Sequence, residues 1–233
     1  MSTKTIVGMI VAVELDAVIR KYGEKLVKIP HRAFDIHSID EPDRRLIIVN
    51  SGAGEIASAA AAQLLISEFH ADMIVNFGVV GGLTPEMKVA KLCVVESVVH
   101  YDFDASDFMG CPKCQYSGYD SIYIPTDERL LSEAVRVNPM LKRVVCASGD
   151  KFIGSNEAKR ALHTEFNADI CEMEAAGIVL TANRNGVPCL LIKAVSDAMD
   201  GGAEEFAREI DRCALICLDT LDTVIRSLFS AEG

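Results

Sequence analysis

Acids stand where apolar strands end in this chain. Asp197 follows the run LLIKAVS directly, Glu172 and Glu174 flank Met173 in ICEMEAAGIV, and Asp16 lies just past TIVGMIVAV. A carboxylate among apolar residues is costly unless it is paired or hydrogen-bonded. Such acids therefore mark either a site that needs negative charge or the start of a helix, where they suit the helix dipole. Carboxylates that converge from several strands raise one another's pKa values, which suits a general acid. Lys193, in the same strand as Asp197, is a cation near the end of that run. Opposite charges within a few ångströms favour both charged forms, so Lys193 is expected to hold Asp16 ionised.

These acids must be positioned by strands and helices that alternate along the chain. TIVGMIVAV reads as a strand followed by the helix ELDAVIRKY, which stops at Gly23. RLIIVN leads through the turn SGAG into an Ala-rich helix, EIASAAAAQLLISEF. MIVNFGVV, KLCVVESVVHYDFD, RVVCAS, DICEM and CLLIKAVS read as further strands. Thr126 is expected to cap a helix running to about Val137. NEAKRALHTEF is a helix, another follows Glu174 and stops at Gly186 and Pro188, and a last one starts near Glu204. In that last helix Phe206, Ile210, Cys213, Cys217, Leu221, Val224 and Leu228 step along one face, a core stripe. Continuous apolar strands between helices imply one α/β domain over residues 1–233, with a mixed, mostly parallel sheet covered by helices on both faces. In such sheets ligands gather at the carboxyl ends of strands, where the acids stand.

Other chemistries fit less well. SGAGEIA has the spacing G-x-G-x-x-A, but the next strand ends VNFGVV without the acid that a dinucleotide ribose requires. CPKC (Cys111, Cys114) has ligand spacing but no second pair, which argues against structural zinc. His100, Asp102 and Asp104 sit at spacing two and read as a solvated strand end rather than a metal site. Neither a metal nor a cofactor is expected. The net charge of −11 disfavours polymeric nucleic acid as a partner. No apolar run approaches the ~20 residues of a membrane span. Glu14 and Asp16 interrupt the apolar N-terminal stretch, which argues against a signal peptide. A cytoplasmic protein is expected.

VNFGVVGGL, SGDKFIGS, EMEA and AVSD, in this order, resemble the nucleoside phosphorylase/nucleosidase superfamily, and most of all its 5′-methylthioadenosine/S-adenosylhomocysteine nucleosidases. VNSGAGEIASAAAAQLL is similar to their glycine turn and following helix. The resemblance runs from about Ile6 to the last helix. It implies that Asp197, beside Ser196, protonates purine N7 while Glu174 holds the ribose hydroxyls. Met173 would pack on the sugar, Glu172 would lie beside it, Phe152 would stack on the base and the Ile153 backbone would read the base edge. Ala53 and Val79 would complete the wall. Phe108 would close the 5′ pocket of a partner subunit, which implies a homodimer.

Three positions depart from the family pattern. The nucleophile-side glutamate is matched to Asp16, a serine to Val79 and an arginine to Lys193. Asp16 and Lys193 are thereby expected to handle the attacking water, with slower hydrolysis than an orthodox site gives. The expected activity is hydrolysis of the N-glycosidic bond of an adenine nucleoside of the methylthioadenosine or S-adenosylhomocysteine type. The alternatives are a purine nucleoside phosphorylase, a futalosine-type hydrolase, or a nucleoside-binding protein with impaired catalysis. Phosphorolysis needs an anion site of arginines and loop amides, and no arginine flanks NFGVVGG.

Overall fold

Side chains of β1 (Thr5–Val11) alternate between two cores: Val7, Met9 and Val11 enter one hydrophobic cluster, Ile10 the other. β5 (Met73–Gly82) and β10 (Cys189–Asp197) do the same, with Val75 and Phe77, or Leu190 and Ile192, on one face and Ile74 or Leu191 on the opposite one. This is the period of two that pleating imposes. Burial of both faces explains why these runs are continuously apolar. The computed structural model describes residues 4–230.

One face of the sheet is covered by α1 (Leu15–Tyr22), α4 (Glu128–Val137) and α7 (Ala203–Ser230). The other carries α2 (Glu55–Ser67) and α6 (Ala175–Asn185), whose many alanines let the two helices lie close to the strands. A third, smaller cluster joins α5 (Asn156–Phe166) to the sheet through Leu162 and Phe166. The stripe on α7 is core, as its spacing predicts: Cys213, Cys217, Leu221 and Val224 are buried.

The remaining strands are β2 (Val27–Ile29), β3 (Asp35–Asp40), β4 (Arg44–Asn50), β6 (Leu92–His100), β7 (Ile124–Pro125), β8 (Lys142–Ser148) and β9 (Ile170–Glu172). The order is β10-β6-β8-β9-β5-β1-β4-β3-β2, with β7 on β6 and a further pairing of β10 with β5. That last pairing closes β5, β10, β6, β8 and β9 into a ring. Along one side β5 changes partner. Met73–Asn76 pair in parallel with β1, whereas Gly81 and Gly82 pair antiparallel with β9. A crevice opens between the ends of β1 and β9, as expected where neighbouring strands diverge.

Several details differ from the sequence reading. β2 and β3 lie in a stretch that gave no strand signal, because VKI and DIHSID mix charge with apolar residues, and β2 forms the edge of the sheet. Asp127, not Thr126, caps α4: its carboxylate accepts from the Leu130 amide at 2.9 Å, while the Thr126 hydroxyl donates to the Val95 carbonyl. β6 ends at His100, and a short α3 (Ser106–Met109) follows. Among the described residues no helix is long and apolar enough to cross a membrane.

Candidate active site

The crevice at the ends of β1, β5, β9 and β10 holds a cavity of about 110 Å³ that opens to solvent, and such concave clefts are where small ligands bind. Ala53, Val79, Phe152, Ile153, Glu172, Met173, Glu174, Ser196 and Asp197 all line it. Of the sequence-derived candidates, three stand elsewhere. Asp16 is exposed in the first turn of α1, Phe108 is 83 % exposed on α3, and Lys193 is buried behind the wall.

Asp197 ends β10 and is 2 % exposed. Its Oδ2 accepts from the Lys159 ammonium at 2.6 Å and its Oδ1 from the Ser196 hydroxyl at 2.9 Å. Burial raises its pKa above the ordinary aspartate range, and the Lys159 and Ser196 bonds oppose that rise. Lys159 comes from α5 and is fully buried. It also donates to the Ala198 carbonyl at 2.6 Å and reaches that of Gly201 at 3.4 Å, so it ties the segment after β10 to the acid.

The other acids of the lining divide their work. Glu172 faces the frame: it accepts from the Ala175 and Glu174 amides at the start of α6, from the Ser148 hydroxyl, and from Lys193 at 3.2 Å. Those partners are what make a carboxylate tolerable in an apolar run. Glu174 stands one step out, with Oε1 accepting from the Gly54 amide at 2.9 Å. That contact requires the loop backbone to turn with a positive φ of 105° at Gly54, a region open to glycine. Burial, and then the charge of Glu172, push the Glu174 pKa up to about 7.

A third buried acid, Glu14, lies behind the cavity wall, whereas Asp16 is exposed. Glu14 is buried, with Oε1 accepting from the Val79 amide at 2.9 Å and Oε2 from its neighbour Val13 at 3.0 Å. Val13 and Val79 both line the cavity. Gly78 leaves the room for this arrangement, since a Cβ there would sit 2.8 Å from Glu14 Oε1. Burial raises the Glu14 pKa, against the Val79 amide and Lys193. The expected Lys193–Asp16 pair is therefore corrected to a Lys193–Glu172 ion pair with Glu14 nearby. Burial draws the Lys193 ammonium down, but Glu172, Glu174 and Glu14 outweigh it and hold the lysine above its ordinary range. Val79 also contributes more than its side chain suggests, because its backbone N–H, which any residue but proline would supply, is the donor to Glu14.

Phe152 is 46 % exposed at the mouth and meets Phe206 of α7 edge-on, ring centroids 5.5 Å apart. An exposed ring beside a cavity is a stacking platform for a flat base. Among the residues at or against the cavity that sequence reasoning missed are Phe206, Lys159 and Glu14. Phe206 did carry a signal as the first member of the core stripe.

His100 contacts Asp102 at 2.8 Å and Tyr116 at 2.7 Å, while Asp104 accepts from Ser106. Among the described residues no cluster of three or more His, Cys, Asp or Glu side chains has the arrangement of a metal site.

Asp197, two glutamates and an aromatic ring lining one cavity suit cleavage of a bond from a sugar to a flat base. The family model of the phosphorylase superfamily matches residues 5–229. The chain belongs to that superfamily. Members similar to it include the aminodeoxyfutalosine nucleosidase of Campylobacter jejuni, 32 % identical over 181 residues, covering 76 % of this chain and 78 % of the relative. The 5′-methylthioadenosine/S-adenosylhomocysteine nucleosidase of Staphylococcus aureus is 31 % identical over 199 residues, covering 80 % and 83 %. Among solved structures of the superfamily, the Helicobacter pylori 5′-methylthioadenosine/S-adenosylhomocysteine nucleosidase with butyl-thio-DADMe-Immucillin-A superposes with a TM-score of 0.90 at 26 % identity, covering 97 % of this chain and 100 % of that one. The Helicobacter pylori futalosine hydrolase superposes with a TM-score of 0.89 at 27 % identity, covering 96 % and 98 %.

Proposed function

We propose that this protein is an adenine-nucleoside N-ribohydrolase of the methylthioadenosine/S-adenosylhomocysteine type. The observation that carries the reading is a buried, hydrogen-bonded Asp197 lining the same cavity as Glu174, with the Glu14 amide clasp on Val79 beside it. The purine enters between Phe152 and the Ile153 backbone, with Asp197 at N7 and Met173 against the sugar. As the C1′–N9 bond breaks, its electron pair goes to the base, and the Asp197 proton passes to N7 to neutralise it. The ribose hydroxyls donate to Glu174, and the nearby carboxylates favour the oxocarbenium-like sugar. Water adds to C1′ and its proton goes to Glu14. Lys159 then stabilises the Asp197 carboxylate that remains.

Hydrolysis is favoured over phosphorolysis because the cavity lining holds one lysine, Lys151, and no arginine. An anion site for phosphate draws on bidentate arginines. The Campylobacter jejuni relative supports aminodeoxyfutalosine as a second substrate of the same chemistry. The test incubates the protein with methylthioadenosine, S-adenosylhomocysteine, aminodeoxyfutalosine and inosine, with and without phosphate, and identifies the sugar. Free sugar and adenine in phosphate-free buffer support the reading. A sugar 1-phosphate, formed only with phosphate present, overturns it.

The proposal extends to a homodimer working in the cytoplasm. Phe108 and Met109 stand exposed on α3, as an interface side chain does. Eight free thiols suit a reducing compartment. A monomer by sedimentation at micromolar concentration, still fully active, would count against the dimer.

A further inference from the structure

Glu55 opens α2 and is buried, yet it does not line the cavity and the reaction makes no use of it. Its Oε1 lies against the Ser148 hydroxyl, and its Oε2 accepts from the Gly177 amide of α6 at 2.5 Å. The same Ser148 oxygen faces Glu172 Oε1 at 2.5 Å and accepts from the Ala176 amide at 3.1 Å. A hydroxyl has one proton and two lone pairs. The Ala176 N–H takes one lone pair, so the remaining lone pair and the single proton must serve both carboxyl groups. One of those groups has to carry a proton of its own and donate it to Ser148. Glu172 already faces donors alone, two amides and the Lys193 ammonium, so its oxygens are acceptors. Among the described residues Glu55 meets an amide and no cation.

We infer that Glu55 is held as a neutral carboxylic acid that donates to Ser148, which in turn donates to Glu172. Glu55 is thus a positioning residue. It fixes the Glu172 carboxylate that grips the first amides of α6, and so fixes Glu174 at the N-terminus of that helix. It also keeps a further negative charge out of a group where Lys193 faces several carboxylates.

The surroundings agree. Glu172 and Glu174 face Glu55 from the β9–α6 junction, and Asp150 from beyond β8 accepts from the Glu55 amide at 2.8 Å. The Tyr101 and Tyr116 hydroxyls lie beyond β6, and Lys193 of β10 stands on the far side of Glu172. Burial, followed by the charge of Glu172, pushes the Glu55 pKa up to about 8, against the bonds from Ser148 and Gly177.

The inference rests on the nucleosidase reading for its catalytic arm only. Infrared difference spectroscopy of the wild-type protein against Glu55→Gln at neutral pH reads the proton directly. The wild type is expected to show the carbonyl band of a neutral carboxylic acid that Glu55→Gln removes and that fades as pH rises through about 8. An unchanged band in Glu55→Gln overturns the assignment. In the catalytic arm, Glu55→Ala is expected to raise KM for the nucleoside about tenfold, the scale of one net hydrogen bond. Glu55→Gln, whose amide donates in the same direction, is expected to restore it. Glu55→Ala with wild-type KM overturns the positioning role. A wild-type protein that hydrolyses no nucleoside refutes the nucleosidase reading while the infrared arm still decides where the proton sits.

Discussion

At the scale of single residues, the site turns on which of two neighbouring acids reaches the nucleophile side. Glu14→Gln is expected to lower turnover about 100-fold or more, the scale of losing a proton-transfer group. Asp16→Asn is expected to leave turnover close to wild type, because its side chain is exposed. Steady-state kinetics of the two variants, with calorimetry to confirm folding, checks the assignment; equal losses would return the role to Asp16. Asp197, Glu174 and Phe152 could be found in the sequence because they end apolar runs or sit in short motifs. Glu14 was hidden because an acid ahead of a helix reads as a cap, and its partner Val79 is 65 residues away. Lys159 was hidden more deeply: NEAKRALHTEF reads as an ordinary surface helix, and only the tertiary fold buries that ammonium. Removing it with Lys159→Met takes a cation from Asp197, so the Asp197 pKa must rise. The alkaline limb of the kcat profile is then expected to move to higher pH. Breaking the buried pair is also expected to cost about 3 kcal/mol of stability by denaturant titration.

Elements position these groups through close approaches that strand and helix signals do not encode. The apolar runs of β1, β5, β8 and β10 announce themselves because both faces of each are buried. β2 and β3 do not, since VKI and DIHSID mix charged with apolar residues and lack that signature. The clasp of Glu14 on β5 depends on the missing side chain at Gly78. Gly78→Ala places a Cβ against Glu14 Oε1, at a distance that real contacts do not show. The carboxylate must swing away from the Val79 amide. Turnover is expected to fall about 10-fold or more while nucleoside affinity, held by Phe152, Glu174 and Asp197, changes far less. Comparing kcat with calorimetric affinity tests this, and an equal loss in both would mean that the strand itself had shifted.

For the molecule as a whole, the ring closed by the β10–β5 pairing was invisible in the sequence, because nothing local says which strands become neighbours. That closure brings several carboxylates together, and it gives stability a pH dependence. Glu174 and Glu55 titrate in the fold at about 7 and about 8, above the ordinary 4.5. The folded state therefore holds protons that the unfolded chain has released, and stability is lost as pH rises from the ordinary range through those values. The slope is at most about 1.4 kcal/mol per pH unit for each proton. A lower melting temperature at about pH 8.5 than at about pH 5.5 is expected by calorimetry. The reverse order would mean that both acids are ionised throughout. Glu133, lowered to about 2 by Arg136, has the opposite sign but acts only in acid.

The distribution of sulfur has a practical consequence. Seven of the eight cysteines are buried, and Cys111, in the loop after α3, is the one that solvent reaches. A maleimide or a fluorescent thiol reagent is therefore expected to attach at a single position in the native protein, and mass spectrometry of the labelled chain would count the adducts. The dye would sit three residues from Phe108 in sequence. A reporter placed there changes its emission when another surface covers it, so the protein carries its own attachment point for measuring, by dilution, whether two copies meet.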